Sequence, residues 1–169
     1  MKTGTKSLLF GYHQFLLHPL MVAAAWWKLH GFPYDPRLWL AFFVHDLGYI
    51  GKPDMDGVEG QQHPFLGAHI MHFLFDGADE AYWYQFCLYH SRTLAKIYFA
   101  PMSKLCYADK LAFLLYPEWL LRLLYWLSGE GVQYMNDSGH TDWDSWYEWA
   151  ANNNHRTLND LKQLTHCDR

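Results

Sequence analysis

Charge is scarce in this chain. Only 18% of its 169 residues are charged, and 13 lysines and arginines face 17 aspartates and glutamates, for a net charge of −4. No global basic field exists to hold duplex nucleic acid or an anionic membrane, so a phosphate-bearing ligand needs a local group of cations. Cysteine is scarce too. Cys87, Cys106 and Cys167 include no C-x-x-C pair, which argues against both a disulfide framework and a zinc ribbon and fits reduced thiols in a cytoplasmic protein. Uninterrupted apolar runs of spanning length are missing. The greasiest stretch, LAFLLYPEWLLRLLYWL, is broken by Pro117, Glu118 and Arg122, so it reads as two packed helices with an interfacial or dimer-forming role left open, not as a membrane span. The opening MKTGTKSLLFGYHQFLLHPL has a short apolar stretch broken by Tyr12, His13 and Gln14 and no small-residue cleavage site, so it does not read as a signal peptide.

Apolar and aromatic side chains are abundant instead. Hydrophobic residues make up 51% and aromatics 19%, enough for one domain with a substantial core and against disorder. Apolar positions recur at helical spacing, and long β-branched runs and internal repeats are absent, so the expectation is an all-α fold. HPLMVAAAWWKLHG reads as a first helix ending at Gly31, and PRLWLAFFVHDLG as a second with proline at its head and Gly48 at its stop. GKPDMDGVEGQQ reads as a loop, followed by helices over about 64–75 and 79–90. Ser103 is a candidate cap for KLCYADKLAFLLY, and Pro117 for the start of the next helix. GEGVQYMNDSGH reads as a loop, TDWDSWYEWAANNN as a capped helix, and a last short helix ends near Leu164.

His45 and Asp46 are adjacent at the end of an apolar run. Neighbours on a helix diverge by about 100°, but at a last turn opening into a loop both can reach one ion. Other histidines and aspartates at expected helix ends or beside loops are His18, His63, His90 and Asp109. Nitrogen and carboxylate donors without cysteine suit Fe, Mn, Zn, Co or Ni.

The ordered series His18, His45-Asp46, His63, His90, Asp109 resembles the HD-domain superfamily of metal-dependent phosphohydrolases. His18, His45-Asp46 and Asp109 stand at its defining motif, and Ala108–Lys110 resembles the usual context of the last aspartate. His63 and His90 match the extra histidines of its binuclear branch. That branch includes the HD-GYP phosphodiesterases, myo-inositol oxygenase and a small phosphonate dioxygenase. The resemblance covers roughly residues 15–125 and implies a compact helical bundle with a five-helix core, followed by a C-terminal helical extension. It implies two divalent or mixed-valent metal ions, iron foremost: one held by His18, His45, Asp46 and Asp109, the other by His63 and His90, with Asp46 bridging. The HD-GYP lysine that directly follows the motif glycine is replaced by Tyr49, and GYP is absent, which speaks against a cyclic dinucleotide.

Around this set the expectation places Lys52, Arg92 and Lys104 on a small anionic substrate, with Lys52 and Glu59 also candidates for proton transfer or, for Glu59, a further ligand. Lys110 reads as a surface residue or ion-pair partner. His13, His30, His69, His72, His140, His155 and His166 read as structural, and DWDSWYEWA as packing or a homodimer face. Three functions follow: phosphoester hydrolysis first, di-iron oxygenation of a phosphonate or polyol second, and a non-catalytic metal-binding module third.

Overall fold

The computed structural model describes residues 1–77 and 80–167, the last six of these by backbone alone. The fold is all-α, with no strand among the described residues. Its helices are α1 (Thr3–Phe10), α2 (Leu17–His30), α3 (Pro36–Val44), α4 (Pro64–Phe75) and α5 (Tyr82–Leu88). They continue with α6 (Arg92–Ile97), α7 (Lys104–Leu115), α8 (Glu118–Ser128), α9 (Glu130–Ser138) and α10 (Trp143–Cys167). No described helix is long and apolar enough to cross a membrane.

Local chemistry sets several boundaries. Asp35 caps α3 by accepting from Arg37 N at 2.9 Å, with Pro36 at the first helical position. Ser103 accepts from Cys106 N to start α7, and Gly129, at φ 78°, ends α8 in the left-handed conformation that favours glycine.

Of the three apolar clusters among the described residues, the two larger ones hold the bundle. One joins α2, α3, α4, α5 and α7 through Val22, Trp26, Phe42, Met71, Phe86 and Leu105. Here α2 and α7 meet through Ala25, Ala108 and Ala112, all fully buried. Small side chains allow close helix approach, which brings His18 on α2 to Asp109 on α7. The second cluster packs α8 and α10 against α7 through Phe113, Tyr116, Leu121, Tyr125 and Trp146. Trp143 and Trp146 of the aromatic tail are therefore core residues.

Several boundaries depart from expectation. α1 precedes the first expected helix, α3 ends at Val44 and not Gly48, and α6 is an extra short helix capped by Ser91. The helix expected over 79–90 is α5, beginning at Tyr82; Asp79, its expected start, lies outside the described residues, as do the side chains of His166 and Cys167. Residues 130–138 form α9, not a loop. Its first residue, Glu130, is fully buried and accepts from Ser7 Oγ and Tyr12 N, both at 2.6 Å, and from Ser128 Oγ at 3.0 Å. That anchoring outweighs a weakly helical sequence. The two expected final helices are one, α10, because Asn154 and Thr157 are buried where an asparagine run suggested a stop. A mid-helix asparagine costs only about 0.7 kcal/mol relative to alanine, which burial of such anchors readily offsets.

Candidate metal centre

His45 caps the C-terminal end of α3, and Asp46 leads directly into a short 3-10 turn at Leu47–Tyr49. The change of helix type at this point turns both side chains toward one interior spot. Two glycines make room for the surrounding chain: a β-carbon on Gly48 would collide with the His63 carbonyl, and one on Gly67 with the Val44 carbonyl. The chain carrying His63 and the start of α4 thus lies directly against the His45-Asp46 turn.

Asp46 is the hub. Its Oδ2 lies 3.0 Å from His45 Nε2 and 3.2 Å from His18 Nε2, while its Oδ1 lies 3.3 Å from His90 Nε2 and 3.5 Å from His63 Nε2. Asp109 Oδ1 joins the first group at 3.2 Å from His18 Nε2. The six expected residues are all buried; five of them form two groups that share Asp46, His18–His45–Asp46 and Asp46–His63–His90, and Asp109 approaches through His18.

Hydrogen bonding fixes which nitrogens face the centre. His45, His63 and His90 each direct Nδ1 at a backbone carbonyl three residues back, Phe42 O, Gly60 O and Cys87 O respectively. A carbonyl can only accept, so Nδ1 carries the proton and Nε2 presents a lone pair inward. His63 Nε2 and His90 Nε2 then stand 3.2 Å apart, lone pair toward lone pair. His45 Nε2 and both ring nitrogens of His18 are buried with no aligned hydrogen-bond partner. Imidazole nitrogens buried beside carboxylates without an aligned hydrogen bond fit a bound cation, so the His/Asp clusters could hold metal ions.

The electrostatics agree. Burial opposes the charged form of Asp46, but His45, His18 and His90 outweigh it and hold the carboxyl well below its usual range. Asp109 is likewise held low against burial by Lys110 and His18. Burial keeps His63 well below the usual imidazole range, so it is neutral and ready to ligate. Its ring stacks on Tyr49, with centroids 3.9 Å apart.

A cavity of about 610 Å³ opens over the cluster, floored by Asp46, His63, His90 and Asp109. Arg92 and Lys110 are cations on its wall, Asp56 and Asp137 line it as well, and Tyr12, Phe113, Tyr125, Trp146 and Trp149 supply aromatic surface. Arg92 is held by Thr157 Oγ1 at 3.0 Å. Lys110 Nζ donates to Asp109 Oδ2 at 2.6 Å, and that carboxylate raises its pKa against the opposing effect of burial.

Three expected substrate or catalytic residues lie outside this cavity. Lys104 is five residues before Asp109 on α7, about 140° round the helix, and lines a separate cleft with Trp26, Asp35 and Arg37. Lys52 follows Gly51, whose φ of 74° turns the chain back under α1, and its carbonyl accepts from Gly4 N at 3.1 Å. Glu59 is exposed beside the 3-10 turn leading to His63 and does not line the cavity.

Other lining residues escaped the sequence reading. Lys110, expected as a surface residue or ion-pair partner, is the ion-pair partner of Asp109 and in addition lines the cavity. Asp137, Asn153 and Asn154 sit in an extension with no recognisable motif. His13, expected to be structural, is buried against Ser7 and Glu130 and also reaches the cavity wall.

Comparison with protein-family models, with curated proteins and with solved structures returns no match to this chain.

Proposed function

We propose that this chain is a metal-dependent phosphohydrolase of the HD type, acting at a binuclear centre on a small phosphorylated metabolite or nucleotide. The observation that carries the reading is the division of labour at Asp46, whose two oxygens face two separate histidine groups. A shared carboxylate flanked by imidazoles is the donor set that two divalent ions of the iron, manganese or zinc type require. Ions bound there would supply Lewis acidity toward a phosphoryl oxygen and a water of lowered pKa, so no protein nucleophile is needed.

The chain's own residues would do the rest. Lys110 holds Asp109 in place through its short ion pair. Arg92, oriented by Thr157, offers a planar fork to the anionic group at the cavity wall. The aromatic wall excludes water from the organic part of the substrate and limits its size.

The test is metal analysis of anaerobically purified protein, followed by parallel assays of phosphate release and oxygen uptake on phosphomonoesters and phosphonates. Phosphate release that requires added divalent metal, without oxygen consumption, is the expected result. Oxygen uptake with an electron paramagnetic signal of a half-reduced iron pair would assign the centre to oxygenation, for which the same ligand set is suited. Metal binding without either reaction would leave a binding module.

A further inference from the structure

α8 buries one side and leaves the other unpartnered. Leu121, Leu124, Tyr125 and Ser128 face the core, whereas Trp119, Leu123 and Trp126, on the opposite side at helical spacing, are 69%, 43% and 77% exposed. The adjoining surface is apolar as well. Gly11 sits directly against Ser128, which ties the end of α1 to the end of α8, and Leu9 and Phe10 immediately before it are exposed. Phe15 and Leu16 continue the patch toward α2, each about half exposed. Exposed large apolar side chains gathered on neighbouring helices of a folded domain mark an interaction site.

The charges around it identify the occupant. The first 34 residues contain Lys2, Lys6 and Lys28 and no acidic residue, so all 17 acidic residues lie elsewhere in the chain. Lys2 and Lys6 share the outward side of α1 with Leu9. On α8, Glu118 is turned toward α10, where it accepts from Trp143 Nε1 at 3.2 Å, and Arg122, one turn on, pairs with Asp144 of α10 at 3.8 Å, so the outer side of α8 carries no acidic residue against the lysines of α1. A second copy of the chain docking through this face would bring lysines to lysines. A negatively charged lipid headgroup layer meets both requirements, taking tryptophan and leucine side chains at its interface and lysines at its surface. We infer that the α1–α8 face is a peripheral docking surface for an anionic bilayer, with α8, about 16 Å long, lying in the plane of the headgroups.

This surface is independent of the metal centre, so its test needs no activity. The full chain is mixed with vesicles of phosphatidylcholine alone or phosphatidylcholine with phosphatidylglycerol, and binding is read by co-sedimentation and by tryptophan fluorescence. The expected result is binding to the anionic vesicles with a blue-shifted emission, weakened by salt, and little binding to the neutral ones. Lys2→Glu/Lys6→Glu should lower partitioning by at least tenfold, since each lysine near such a surface is worth about fivefold. Trp119→Ser/Trp126→Ser should abolish the blue shift while circular dichroism stays unchanged, both side chains being exposed. No partitioning into anionic vesicles overturns the proposal. So does a dimer in solution that Trp126→Ser dissociates when vesicle binding is absent, because the face would then belong to a second copy.

Discussion

Glu130 accepts the backbone N–H of Tyr12 at 2.6 Å, a bond that ties the start of α9 to the turn between α1 and α2 across 118 residues. The same carboxylate takes Ser7 and Ser128 hydroxyls, and the turn it holds leads within a few residues to His18. The extension after α8 is thus fastened to the chain that enters the metal centre. Replacing Glu130 by alanine leaves several buried donors without an acceptor, and the expected loss is about 3 kcal/mol. The melting temperature should fall by about 6–12 °C in a chain of this size, and a fall under about 2 °C would show the network to be dispensable.

Asp46→Ala should strip nearly all bound metal, because its two oxygens face both histidine groups. His63→Ala, on one side only, should keep about half the parent's metal. Elemental analysis of the purified variants decides the matter, and an Asp46→Ala protein with the parent's metal content would remove the bridging role.

Lys110 touches Asp109 and is not itself a ligand type, so its effect should be on metal affinity. Lys110→Met frees the Asp109 carboxylate to rotate and should weaken metal binding by about 10–100-fold. A competition titration against a chelator reads this directly, and an unchanged affinity would make the pair incidental.

Arg92 and Lys104 separate two readings of the substrate cations. Arg92→Ala should cost about 2–4 kcal/mol in kcat/KM on a phosphorylated substrate at equal metal loading, and Arg92→Lys should also lose activity because the fork is gone. Lys104→Ala should leave kcat/KM within about twofold of the parent, since Lys104 lies in another cleft. Equal losses at the two positions would contradict the cavity assignment.

His30, outside the metal centre, makes the fold sensitive to acid. Burial and then the Lys104 charge lower its pKa to about 4 from an ordinary 6.5. As pH falls below about 6.5 the unfolded chain takes up a proton that the native protein refuses, so this contribution to stability is present above 6.5 and is lost as pH falls toward 4. Urea denaturation at a series of pH values should show stability declining across that window, with a shallower decline in His30→Gln. Identical slopes would place the acid sensitivity elsewhere.

The sequence alone determined the all-α class, most helix positions and the six residues of the candidate centre. Helical periodicity, proline and glycine punctuation and serine or aspartate caps act within a few residues, so Pro36, Ser103 and Gly31 mark boundaries without reference to the rest of the chain. The ligand series was legible for a related reason. His18, His45-Asp46, His63 and His90 stand near expected helix ends or beside loops, where their polarity conflicts with the surrounding apolar pattern, whereas Asp109, in the middle of α7, was marked by its place in the resembled series. What only tertiary structure decided is which cations share the cavity and what the last forty residues do. Lys104 and Lys110 are equally basic and six residues apart, yet rotation about α7 sends one to a separate cleft and the other to Asp109. Residues 130–138 look like a loop until Glu130 finds Ser7, Tyr12 and Ser128, and the asparagine run looks like a helix stop until Asn154 and Thr157 are buried. Bonds between residues more than a hundred positions apart leave no local pattern, because the partner's place is set by packing.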